Sequence, residues 1–159
     1  MDTRFVSGIE DNTRKSMVEL LNARLADMID LSLAVKQAHW NLKGSGFIGV
    51  HEMLDAVVDR VNESADMIAE RAVIIGGIAK GTTQDVANNT KMKAYPNDLV
   101  DIDGHIKELT SRFADVGKRI RAAIEEASEA GEPDTEDLFT EISRQMDKDA
   151  WFIGANLKK

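Results

Sequence analysis

His39 and His51 stand on either side of a short glycine-containing turn in QAHWNLKGSGFIGVHEMLD (residues 37–55), and Asp55 follows His51 by four. Asp66 and Glu70 form a second pair four apart, further along the same helical pattern. Residues at that spacing share a helix face, so each pair can turn two donors toward one point. Imidazole and carboxylate donors suit iron(II), manganese or zinc. The chain has no cysteine, which removes thiolate metal sites, Cys nucleophiles and disulfides together.

The two pairs cannot serve one ion within one chain. Asp55 and Asp66 lie on nearly the same face, but their separation in helix is about 16 Å along the axis. A two-fold axis near residue 60 or 61 removes the difficulty. If this helix packs antiparallel against its own symmetry mate, His51 and Asp55 of one subunit meet Asp66 and Glu70 of the partner subunit. Two equivalent sites then form roughly 22 Å apart. His39, delivered across the short hairpin, completes each one. The competing reading is plainer: histidines filling a core or a surface, and acidic pairs on solvated faces. Spacing alone leaves both open.

The elements that must position these residues are legible as four long helical patterns. The first runs from about Thr13 to Trp40, with Met17, Leu20, Leu21, Met28, Leu31 and Val35 at helical spacing. Gly44-Ser45-Gly46 breaks the chain, with Ser45 as the expected N-cap of the next helix. The second runs from about Phe47 to Ile75 and ends at Gly76-Gly77. Both are apolar on more than one face, which implies packing against another copy. Residues 76–97 form a long connection with a short helix expected over 82–89. The third pattern opens at Tyr95-Pro96-Asn97-Asp98 and steps from Leu99 to Ile124. The fourth runs from about Thr135 to the C-terminus. Short turns make the first two helices antiparallel, and likewise the last two. The long connection lets helix three start where helix two began, giving an all-α four-helix bundle with one long crossover, the ferritin-like arrangement.

Composition narrows the function. The chain has 159 residues, 43% of them hydrophobic and 30% charged, with a formal charge of −8; one domain over 1–159 is expected, with residues 1–12 a short tail. No apolar run approaches the ~20 residues that cross a bilayer, and the N-terminus has no export-type apolar segment. The acidic balance disfavours a nucleic-acid surface and favours attraction of cations.

Taken together, KQAHWNLKG (36–44), FIGVHEMLD (47–55) and DMIAERAVIIGG (66–77) resemble the Dps family, the mini-ferritins. GTTQ (81–84), Tyr95-Pro96 and DKDAWFIGANL (147–157) agree with it, so the resemblance covers about residues 13–157. It implies a hollow shell of twelve subunits with a ferroxidase centre at each two-fold helix pairing. His39, His51 and Asp55 match the ligands of one subunit, and Asp66 and Glu70 those of its partner. It further implies oxidation of iron(II) by hydrogen peroxide or oxygen, storage of ferric mineral, and a place in the bacterial cytoplasm or nucleoid. The chain lacks the Glu-x-x-His pairs of the larger di-iron bundles, so the site stands or falls with the dimer.

Other residues carry weaker expectations. Trp40 is either a relay for stray oxidising equivalents or a packing aromatic. Asp134, Asp137 and Glu141 suit a helix N-terminus, and by the resemblance they line a three-fold pore. Glu52, Asp59 and Glu63 are either nucleation sites or an ordinary polar face. GGIAKGTT (76–83) lacks the lysine of a P-loop, and DIDGHIKELTSR (101–112) lacks the glycine and glutamate of an EF-hand, which leaves His105 as an exposed or packing histidine. Arg4, Arg14 and Lys15 are balanced by Asp2, Glu10 and Asp11, with Lys158 and Lys159 at the other end. Clustered cations for phosphate neutralisation are missing, so DNA binding is expected to be weak or absent. The alternatives are a DNA-compacting nucleoid protein with secondary iron binding, and a helical oligomer holding a structural divalent ion.

Overall fold

The computed structural model describes residues 5–157. Among them the elements are α1 (Asp11–Asn41), α2 (Phe47–Ile74), α3 (Thr83–Asn89), α4 (Ile102–Glu129) and α5 (Pro133–Gly154), with no strand. The apolar positions that step by three and four in the sequence are the ones that close the core. Leu21, Met28, Leu31 and Val35 of α1 meet Leu54, Val57 and Ile68 of α2, together with Ile106, Leu109, Phe113 and Ile120 of α4 and Phe139 and Ile142 of α5.

Polar bonds between helices fix their directions. Ser32 bonds Asn62 at 2.6 Å and Lys36 bonds Asp55 at 2.6 Å, so α1 and α2 run antiparallel. Arg119 reaches back to Asp27 at 3.0 Å and Thr13 to the Ala130 carbonyl at 3.5 Å, which sets α4 antiparallel to α1. Arg60 holds Asp149 at 2.6 Å and Arg71 holds Glu132 at 2.9 Å, making α5 antiparallel to α2. The result is the ferritin-like bundle with one long crossover that the loop lengths predict.

The crossover is fastened along its length. Asn22 donates to the Ile78 carbonyl at 2.9 Å, Thr90 donates to Asp30 at 2.6 Å, and the Lys91 amide donates to buried Asp27 at 3.0 Å. The short helix α3 forms where expected, behind a capping box of Thr82 and Asp85.

Two helix starts differ from expectation. Ser45 does not cap α2; Gly46 does, with φ of +81°, a backbone state that favours glycine. Helix α4 begins at Ile102, later than the Tyr95–Asp98 start read from the pattern. The intervening segment instead turns at Asn97-Asp98 and ends in a bridge to the hairpin, where the Lys43 amide donates to the Val100 carbonyl at 2.8 Å and the Ile102 amide to the Lys43 carbonyl at 3.3 Å. Asp101 then caps α4 by accepting from the Gly104 amide at 2.7 Å. This bridge sets the α1–α2 turn against the start of α4. Among the described residues no helix is long and apolar enough to cross a membrane.

Candidate metal centre

The hairpin brings His39 and His51 into direct contact. Their rings stack with centroids 3.7 Å apart and planes 17° from parallel. Each Nδ1 lies 2.9 Å from the backbone carbonyl oxygen of the other histidine. A carbonyl can only accept, so both Nδ1 atoms carry the proton, and the lone pair of each ring is on Nε2. Helix α1 ends and α2 begins at the spacing that permits this mutual brace. The brace sets both rings in the tautomer a metal ligand needs.

Asp55 joins the pair, with Oδ1 3.8 Å from His39 Nε2. Lys36, one turn before His39, holds the same oxygen at 2.6 Å. That ammonium, hydrogen-bonded to the carboxyl, keeps Asp55 below the usual carboxylate range. Lys36 also stands 5.9 Å from the centroid of Trp40. Sequence reasoning missed Lys36; its position three before His39 was the available signal, but its bond spans the hairpin. Trp40 is 66% exposed, so within one chain it is not a core aromatic.

Asp66 and Glu70 are exposed further down α2 and do not meet the histidines of their own chain. Among the described residues, no three His, Asp or Glu side chains of one chain are grouped to hold an ion. One chain therefore presents two separated sets of donors. Glu52, Asp59 and Glu63 are exposed on α2, as are Asp134, Asp137 and Glu141 on α5. The three α5 acids share one surface hollow with Glu70 and Met67. Leu33, Phe47, Ile48, Val73 and Ile74 leave apolar surface exposed along the α1–α2 layer.

A ferritin-like domain model matches residues 18–159. A DNA protection during starvation protein of Agrobacterium fabrum is 45% identical over 151 residues, which is 95% of this chain and 93% of that protein. The chain belongs to the Dps family. Solved Dps structures agree with this placement throughout the chain. DpsA14 from Streptomyces coelicolor superposes with a TM-score of 0.93 at 36% identity, covering 98% of this chain and 92% of that one. Dps from Mycobacterium smegmatis gives 0.95 at 30% identity, covering 100% and 90%. The ferritin-like bundle expected from the loop lengths is thus the fold of a Dps protein.

Proposed function

We propose that this Dps-family protein is a ferroxidase, oxidising iron(II) with hydrogen peroxide, or with oxygen, at centres shared between subunits. The product is ferric mineral kept inside a homododecameric shell in the bacterial cytoplasm or nucleoid, which protects the cell from oxidative stress. The observation that carries this reading is the braced His39–His51 pair with Asp55 beside it at the start of α2, the helix that carries Asp66 and Glu70 further along. In an antiparallel α2 pair, His39, His51 and Asp55 of one subunit and Asp66 and Glu70 of the partner subunit would bind the iron substrate.

In the reaction two iron(II) ions each give one electron to one peroxide. The O–O bond breaks, both oxygens end as water or hydroxide, and the ferric ions hydrolyse with release of protons. Using both electrons at one site avoids release of hydroxyl radical. Trp40 would quench oxidising equivalents that escape. Asp134, Asp137 and Glu141 would draw iron(II) inward, and Glu52, Asp59 and Glu63 would seed mineral.

The DNA-compacting alternative has less support. Of the cations near the N-terminus, Arg14 is buried, and it donates to the Ile75 carbonyl and to that of Ile9 at 3.2 Å. Arg4, Lys158 and Lys159 lie outside the described residues.

Complementation tests the shared centre. Chains carrying His39→Ala/His51→Ala and chains carrying Asp66→Ala/Glu70→Ala should each assemble and lose rapid iron oxidation. Mixed oligomers should recover it, since one of the two centres at each mixed interface contains only intact halves. Proven mixing without recovery would sink the model.

A further inference from the structure

His105 has no place in the proposed centre, yet it is 0% exposed. Its Nδ1 lies 2.8 Å from the Tyr95 hydroxyl, and the two rings stack with centroids 5.8 Å apart. Its Nε2 is buried and makes no hydrogen bond. Tyr95 belongs to the end of the crossover, the segment that turns at Asn97-Asp98 before α4. The Arg112 guanidinium sits 4.9 Å from the Tyr95 ring centroid and donates to the Ala94 carbonyl at 3.1 Å. Five residues after Tyr95, the Val100 carbonyl accepts the Lys43 amide of the hairpin turn at 2.8 Å.

We propose that His105 is a pH-sensitive latch that closes the end of the crossover, residues 92–101, onto α4 and thereby braces the α1–α2 hairpin. Whichever nitrogen holds the proton of the neutral ring, a second proton adds a donor. If Nδ1 already holds the proton, the new N–H is on Nε2, which makes no hydrogen bond; if Nε2 holds it, the new N–H is on Nδ1, and the Tyr95 hydroxyl must turn from donor to acceptor and leave its own hydrogen without a partner. A buried donor left unmade is costly, and a buried charge more so. The charged groups around the pair do not offset this. Asp101 caps the same helix and favours the charged ring, and Arg112, beyond Tyr95, is itself paired with Glu108 at 2.7 Å. Among the described residues no charged side chain of α1, α2 or α5 bonds to the ring. Burial holds the imidazole below the ordinary histidine range, outweighing the pull of the Leu99 backbone and of Asp101.

The sign follows. A histidine whose folded value is depressed favours the closed state above its free value of about 6.5, and that stabilisation is lost progressively as pH falls below it. The latch is closed in neutral solution and opens under mild acid. Its effect on His39 and His51 rests on the ferroxidase reading; the latch itself does not.

Amide hydrogen exchange, followed by mass spectrometry and corrected for intrinsic pH dependence, tests this without iron. In wild-type oligomer, peptides spanning 92–101 should lose protection severalfold, up to about tenfold, between pH 7.5 and 5.5, while peptides of α5 do not. His105→Asn, whose carboxamide oxygen can accept from Tyr95, should show protection that does not change with pH. His105→Gln serves as the second variant and should do the same. Unchanged protection of 92–101 in the wild type would overturn the latch. So would a loss of protection that either folded variant retains. Should neither variant fold, the wild type decides: loss confined to 92–101 supports the latch, and loss spread equally over the bundle overturns it.

Discussion

Lys36 and Asp55 are joined across the hairpin, the ammonium lying 2.6 Å from the carboxylate oxygen that also faces His39. A cation of the protein thus holds a carboxylate that the proposed iron substrate would use, and the two compete for Asp55. Lys36→Met removes that competitor and leaves the apolar stem. The variant should bind the first iron(II) severalfold more tightly in anaerobic titration calorimetry, with its state of assembly unchanged. Affinity that is unchanged or reduced would show that Lys36 supports the centre instead of competing for it.

Helix periodicity and loop length carried the topology because four amphipathic helices joined by two short turns and one long crossover have few ways to bury their stripes. The approach of His51 and of Asp55 to His39 was legible for the same reason: a short turn between antiparallel helices forces residues near it together. What local pattern did not carry was contact across the fold. Lys36 reaches Asp55 over the turn, Tyr95 reaches His105 from the crossover, and Lys43 bridges to Val100. The last of these also delays α4 to Ile102, since a segment already paired with the hairpin cannot wind into the helix that its apolar spacing suggests. Gly46 took the start of α2 from Ser45 because the chain turns there through a left-handed backbone state. The proposed joining of Asp66 and Glu70 to the histidines would involve a second copy and is tested by the mixed-subunit experiment.

Asp27 is fully buried on α1 and gathers Arg119 at 3.0 Å, Arg24 at 3.2 Å and the Lys91 amide at 3.0 Å. It ties α4 and the crossover to α1. Asp27→Ala would leave two guanidinium groups and one amide without their common acceptor, a loss of about 3–5 kcal/mol for a broken buried pair. Calorimetry should show a clear fall in the unfolding temperature. A fall no larger than that of an exposed control such as Asp98→Ala would refute the role.

DNA retention is expected to be weak. Arg14 is committed to backbone carbonyls, and a formal charge of −8 per chain opposes the approach of a polyanionic duplex. Iron-free oligomer should leave linear DNA unretarded in a gel run at about 150 mM salt. Clear retardation under those conditions would reverse this reading and favour the compaction role.

Gly77 ends the turn after α2 in close contact with α1. A Cβ there would lie 2.5 and 2.6 Å from the two Val18 methyl carbons and 2.9 Å from the Ala72 carbonyl oxygen. The carbonyl cannot move freely, because it accepts the Gly77 amide at 2.8 Å. Gly77→Ala should therefore cost about 1–3 kcal/mol, the range for overpacking. Adding Val18→Ala should recover part of the loss in thermal unfolding, and no recovery would place the strain elsewhere.

Glu132 links α2 to the start of α5. It is buried, accepts from the Thr135 amide at 3.0 Å and from the Arg71 guanidinium at 2.9 Å, and so caps the helix that carries Asp134, Asp137 and Glu141. Burial pushes its carboxyl up, but the bonds from Thr135 and Arg71 and the Arg71 charge together hold it below its ordinary value of 4.5. A carboxylate depressed in the folded state contributes stability above its unfolded value, and that contribution disappears as pH falls through the folded one. Unfolding temperature should therefore drop below about pH 4.5. In Glu132→Gln, which keeps the size and loses the charge, stability at pH 7 should be lower and this part of the acid sensitivity should vanish. Equal acid slopes in the two proteins would show that other carboxylates govern the transition.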